Sequence, residues 1–323
     1  MRFSGLALVA LAVSIVSVPF LGSSPESESA PAVVGCGDAP SACGFPDQSN
    51  TGVPKGTPLL QVPSQISSGP GWYYDPRGWV EVDTDGAVLS GLYIPCTVDV
   101  SASDVTIEAD EIATSGPSAI GISLRHTSNV TIQDSTITGL TAGTGRMMTG
   151  IKDLYADSTG LTILRDNIRL AETGVQLESG LVQDNYIHAA GFVTGDHVNG
   201  VTSNGGGSDL LTITHNTILI DRGQTDAIGL FEDFGVQQNR VITDNLLAGG
   251  GYSIYGGQNT DGPATSNISI TDNQFSTIYY PHAGVYGYIT HFSFDGSGNT
   301  WSGNSWTGTT ADIDGPPITI PGQ

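Results

Sequence analysis

The chain has 323 residues, 44 of them glycine, and its 32 acidic residues outnumber 10 basic ones for a net charge of −22. So acidic a surface excludes phosphate-backbone binding, and with it nucleic acid as a partner, and also disfavours docking on anionic lipid. Ala, Leu, Glu and Lys do not recur at helical spacing, whereas the richness in Thr, Ile, Val, Asn, Asp and Gly favours many short strands joined by tight turns.

In chain order, Arg2 followed by the apolar run Leu6 to Leu21 reads as an export signal. The run is too short and too early for a membrane span, and no later stretch is apolar enough to be one. With its polar spacer the leader covers residues 1–32, so a secreted, extracellular protein is expected. Residues 33–95 are expected to form an N-terminal strap and cap, 96–310 the main domain, and 311–323 a tail. Export makes a disulfide plausible among Cys36, Cys43 and Cys96. The favoured pairing is Cys43–Cys96, tying the strap to the first coil; Cys36–Cys43 is the rival, and one thiol is left over either way.

A repeat then runs through the chain. One phrase is a β-branched pair, a polar pair holding Asn or Asp, and an apolar residue, as in Val130-Thr131-Ile132 with Ser135 and Ile137, or Thr212-Ile213 with Asn216 and Ile218. A second phrase is a small residue followed by Ile or Val: Gly121-Ile122, Gly150-Ile151, Gly174-Val175, Gly200-Val201, Ala227-Ile228 and Ser253-Ile254. The spacing, from the low twenties to about thirty residues, lies in the solenoid range. Two or three short strands cannot bury their own apolar side, but coils stacked at roughly 4.8 Å can. The pattern predicts an all-β, right-handed parallel β-helix. Ile122, Ile151, Val175, Val201, Ile228 and Ile254 would form one inward column, and Ile132, Ile163, Val182, Ile213, Ile242 and Ile270 another. The Asn and Asp residues before each later apolar residue would stack as a ladder at a sharp bend and take up its left-handed backbone.

Three segments carry a resemblance: Cys43-Gly-Phe-Pro-Asp-Gln-Ser-Asn-Thr-Gly-Val-Pro, His197-Val-Asn-Gly-Val, and Asn245-Leu-Leu-Ala-Gly-Gly-Gly-Tyr-Ser-Ile-Tyr. Over roughly residues 43 to 310 the sequence resembles secreted actinobacterial right-handed β-helix proteins of the pectate-lyase-like superfamily. The resemblance implies the fold, export and a polysaccharide partner, and it favours a lyase. It does not choose the sugar, since that superfamily holds lyases, hydrolases, epimerases and tailspikes. Such proteins often carry His-x-Asp-Gly-Ile-Gln where this chain has His197, Asn199 and Thr202, which puts a metal or acid–base role for Asn199 in doubt.

The second phrase would supply a sheet overhung by long loops, with Ser123, Lys152, Gln176, Thr202, Gly229 and Tyr255 as its outward column. Scaffold-borne loops are the usual place for function. The candidate catalytic residues are His197, Lys152, Asp226 and Asp196; the candidate substrate contacts are Asn199, Arg222, Gln176 and Tyr255. For β-elimination on a uronate polymer, His197 or Lys152 would be the base, and the sugar carboxylate would have to be neutralised. Asp196, Asp226 and Glu178 could hold Ca²⁺, which takes hard oxygen ligands. For hydrolysis, Asp196 and Asp226 would be the paired carboxylates, with Glu232 or Asp233 in reserve. Tyr252, Tyr255, Tyr279, Tyr280, Tyr286 and Tyr288 could stack on sugar rings or simply support the last coils. A non-catalytic glycan-binding protein is the remaining alternative.

Overall fold

A computed structural model describes residues 36–189, 191–307 and 318. The expected leader lies outside the described residues, as does all but Ile318 of the tail. The described residues fall within one compact unit, spanning Val33–Gln323.

Among the described residues the strands form three sheets of eleven, nine and ten strands, to each of which the successive coils contribute one strand, paired in parallel. The fold is therefore a parallel β-helix, as the repeat predicts. In the first sheet Val98, Ile122, Ile151, Val175, Val201, Ile228, Ile254 and Ile289 pair in unbroken sequence. In the second, Leu89, Ile107, Ile132, Ile163, Val182, Ile213, Ile242 and Ile270 do the same. The third sheet stacks Ile94, Ile112, Ile137, Ile168, Ile187, Ile218, Leu247 and Phe275. All three columns are buried but for Ile289 at the final coil, and each fully buried Ile or Val contributes on the order of 1.5–3 kcal/mol. The small residue before each first-sheet Ile or Val is there for steric reasons. A Cβ on Gly121 would stand 2.6 Å from the Gly150 carbonyl oxygen and 2.6 Å from Ile137 Cγ2, so a larger side chain would push the first sheet off the third.

The bend between the second and third sheets holds the polar ladder. The backbone N–H of each member donates to the side chain of the next: Asp110 to Ser135, Ser135 to Asp166, Asp166 to Asn185, and onward through Asn216, Asn245 and Asn273 to Asn304. One detail differs from expectation. The left-handed residue is the one before the ladder member: Ala109, Asp134, Arg165, Asp184, His215, Asp244 and Asp272 have φ between 50° and 57°. The Asn side chain is thereby turned inward to pair, while its neighbour absorbs the corner.

The strap also differs. Cys36 is bonded to Cys43, the rival pairing, and Cys96 is a free, half-buried thiol. The expected Cys43–Cys96 bridge fails because Cys43 lies far from the first coil. Cys36 and Phe45 pack on Leu246, Phe45 stacks on His215, and the Gly44 carbonyl oxygen lies 3.1 Å from His215 Nε2. The strap then descends coil by coil. Gly52 N–H donates to the Arg165 carbonyl, Val53 N–H to Thr136 Oγ1, and Leu60 finally pairs with Leu92. It thus runs along the bend and outer side of the third sheet, which leaves the outer face of the first sheet clear.

At the ends, a hairpin of Trp72–Asp75 and Trp79–Val82 covers the first coil. Tyr288, Phe275, Trp301 and Trp306 make mutual ring contacts over the last.

Candidate functional site

The outer column of the first sheet reads Asp99, Ser123, Lys152, Gln176, Thr202, Gly229, Tyr255 and Thr290, each paired with the next. The column inferred from sequence has this register. Concavities follow one another along it. Trp79, Asp99, Ser123 and Arg125 line one near the N-terminal end. Lys152, Gln176, Asn204 and Phe234 line the next.

Three more adjoin at the C-terminal end through shared walls. A cleft of about 330 Å³ is lined by His197, Gly223, Gln224, Thr225, Gly251, Tyr255 and Tyr286. Across Tyr255 lies one of about 190 Å³ whose walls include Phe231, Glu232, Asp233, Asn259 and His291. A third, between Tyr286 and His291, is walled by Tyr288, Phe292 and Phe294. Tyr255 sits at the centre of the rings. Its centroid is 5.7 Å from Phe231, 5.8 Å from Tyr252 and 5.7 Å from His291, which lies nearly parallel to it. Tyr252 in turn contacts Tyr286. Of the tyrosines noted in the sequence, Tyr252, Tyr255 and Tyr286 thus gather at this trough. Tyr288 packs mainly inward against Phe275 and Trp306.

Asp226 lies beneath this aromatic surface. Ala227 and Ile228 both enter the core, which turns Asp226 to the outer face. There it is fully covered, and neither carboxylate oxygen has a hydrogen-bond partner among the described residues. Burial pushes its pKa well above the usual carboxylate range, since a buried charge without a partner is costly. Gly229 explains the cover. A Cβ there would stand 2.5 Å from Phe231 Cε2 and 2.9 Å from Asp226 Oδ1, so the missing side chain lets the Phe231 ring lie down against the sheet beside the carboxyl. One coil earlier, Asn199 pairs with Asp226. Its amide donates to the His197 carbonyl at 2.7 Å, and its Oδ1 also lacks a partner. Glu232, on the wall across Tyr255, keeps a covered and unpartnered Oε1.

His197 is exposed at the mouth of the first cleft, with both ring nitrogens 3.3 Å from the Gln224 amide nitrogen. Sequence reasoning misses Gln224 and His291. Gln224 follows from counting back one residue from the pairing of Val198 with Thr225. His291 follows the last outward position, Thr290, and has no distinguishing pattern.

Other candidates stand apart. Lys152 is two coils from the coil of His197 and five residues further along the strand, roughly 15–20 Å away. It shares its concavity with Gln176 and does not meet His197. Asp196 is held by Arg146, through Nε at 2.5 Å and through Nη2, and accepts the Val193 N–H at 2.6 Å. Burial alone would raise its pKa, but these bonds outweigh burial and hold the carboxyl below the usual range. Glu178 accepts hydrogen bonds from Ser203 Oγ and the Asn204 and Gly205 N–H groups, with Arg240 at 3.5 Å. It braces a buried turn. Arg222 lies over the Phe192 ring and pairs with Asp221 at 3.4 Å, outside the residues lining the clefts.

The expected ion set of Asp196, Asp226 and Glu178 therefore does not assemble. Two of the three carboxylates are saturated by a guanidinium and backbone N–H groups, and their partners hold them in separate places. Among the described residues no group of three or more His, Cys, Asp or Glu side chains is placed to hold a metal. The expected pair of Asp196 with Asp226 fails for the same reason. No protein-family model matches the sequence, and no curated protein matches it.

Proposed function

We propose that the protein works outside the cell, binding a polysaccharide along the outer face of the first sheet and hydrolysing it at the C-terminal trough. The observation that carries this reading is Asp226, a covered carboxyl beside the Phe231 and Tyr255 rings that has no hydrogen-bond partner among the described residues and whose pKa burial pushes up. A carboxylic acid that keeps its proton near neutrality is what a general acid requires. Hydrolysis needs a second carboxylate, and Glu232 supplies it from the wall across Tyr255. Asp226 gives its proton to the leaving oxygen as the glycosidic bond breaks, once the Phe231 ring lifts from Gly229. Glu232 takes a proton from the water that adds to the anomeric carbon. Tyr255 and Tyr286 hold the flanking sugars by their ring faces. The resemblance of the sequence to secreted β-helix proteins supports the extracellular, polysaccharide part of this reading, although it favours a lyase over a hydrolase.

β-Elimination would use His197 as the base and needs the uronate carboxylate neutralised, for which the expected ion set is missing. The assay separates the chemistries: new reducing ends without an ultraviolet-absorbing unsaturated product are expected. Unsaturated product would return the reaction to elimination. Retention on glycan with neither signal would make the protein a binding module. Asp226→Asn and Glu232→Gln should each abolish turnover while leaving binding and folding intact; unchanged turnover in Asp226→Asn would refute the assignment.

A further inference from the structure

Given a glycan in the trough, the charge of its walls decides which glycan. None of the described residues lining the three C-terminal clefts is Lys or Arg, whereas Glu232 and Asp233 line one of them. Six of the arginines, Arg77, Arg125, Arg146, Arg165, Arg222 and Arg240, already face carboxylates. The lysine of the outer column, Lys152, is four coils from Tyr255, roughly 19 Å away and beyond the Debye length of about 8 Å at physiological salt. The whole chain carries −22. A polyuronate laid here would bring a carboxylate per sugar to walls of its own sign. The remaining wall groups suit neutral hydroxyls and ring faces instead: the amides of Gln224 and Asn259, the imidazoles of His197 and His291, and the rings of Tyr255 and Tyr286.

We infer that the ligand is an uncharged polysaccharide, recognised by ring stacking on Tyr255 and Tyr286 and by hydrogen bonds to its hydroxyls. This rests on the reading of the trough as a glycan site. It departs from the uronate polymer expected from sequence.

The test is affinity electrophoresis of the full mature chain in gels holding neutral polymers (β-glucan, mannan, xylan) or uronate polymers (polygalacturonate, alginate), at low salt and at about 0.5 M salt. Retention by a neutral polymer, unchanged by salt, is expected. Tyr286→Ala should weaken it about five-fold, the size of one stacking contact, with no change in melting temperature, because Tyr286 is 70 % exposed. Tyr255→Ala should weaken it at least as much. Tighter, salt-sensitive retention by a uronate polymer would overturn the inference and leave the trough a glycan site. Neutral retention that survives both substitutions would also overturn it, by placing the ligand elsewhere. Retention by neither class would overturn the glycan reading itself.

Discussion

The buried ladder makes one stability prediction that can be worked through. In its later rungs the Asn side chain both accepts and donates. Asn185 Oδ1 accepts the Asp166 N–H at 2.8 Å, and its Nδ2 donates to the Ile163 carbonyl one coil back and to Asn216 Oδ1. Asp110 occupies the same place and accepts the Leu92 N–H at 2.7 Å, but its Oδ2 has no partner. Leu89, which pairs with Ile107, is the register equivalent of Ile163, which pairs with Val182, so an amide at position 110 would have the Leu89 carbonyl to donate to. Burial accordingly pushes the Asp110 pKa up to about 7. Its value in the unfolded chain is about 3.9. The folded state therefore holds a proton that the unfolded state releases. The contribution of Asp110 is fully present below about pH 4 and is lost as pH rises to about 7. The gap between those two values sets a ceiling of about 4 kcal/mol, and one unsatisfied buried group usually costs about 1–3 kcal/mol. Asp110→Asn supplies a permanent donor. We expect it to stabilise the protein by about 2 kcal/mol at pH 8, or roughly 3 °C in melting temperature for a domain of this size, and by almost nothing at pH 4. Calorimetry of both proteins from pH 4 to 8 measures this. An equal gain at both ends, or a loss at pH 8, would refute the argument.

Asp166 is a fully buried rung with the same unpartnered Oδ2 and a pKa pushed well up by burial, so Asp166→Asn should stabilise with the same pH sign, and because Ser135 bonds to both rungs the two gains should couple. Asp226→Asn should also raise the melting temperature above neutral pH while abolishing hydrolysis, and a destabilised variant would show that Asp226 has a structural partner. Arg146→Met leaves the Asp196 carboxylate buried without its ion pair and should destabilise by about 3 kcal/mol, read as a lower denaturant midpoint. Truncating His197 to Ala should change little in stability because the side chain is exposed, and unchanged turnover would leave it only a wall of the cleft.

The sequence carries the scaffold further than the chemistry, and the reason is physical. Inward Ile and Val alternate with outward residues at a period of two, and a parallel stack repeats that period coil by coil. Once Gly150-Ile151 and Gly174-Val175 are aligned, Lys152 must lie beside Gln176, and the whole outer column follows. The same counting places Tyr255 next to Gly229. It cannot show that a bare Gly229 lets the Phe231 ring settle beside Asp226, because that depends on how a side chain two residues on folds back across the sheet. The partner of Cys43 is illegible in the sequence because nothing local reveals that the strap crosses most of the stack before reaching the first coil.

Charged residues are the least legible for a related reason. Asp196 and Glu178 look like free carboxylates in sequence, since their partners Arg146 and Arg240 are 50 and 62 positions away and no periodicity links them. In the fold each meets a guanidinium and backbone N–H groups, which hold it in place. Asp226 looks no different in sequence, yet among the described residues it meets no donor at all. A carboxyl left without a donor in a covered site has its pKa pushed up by burial, which favours its protonated form. It is the lack of a partner on both oxygens of Asp226, more than the residue types around it, that sets it apart from Asp196 and Glu178 and makes it the carboxyl we propose as the general acid.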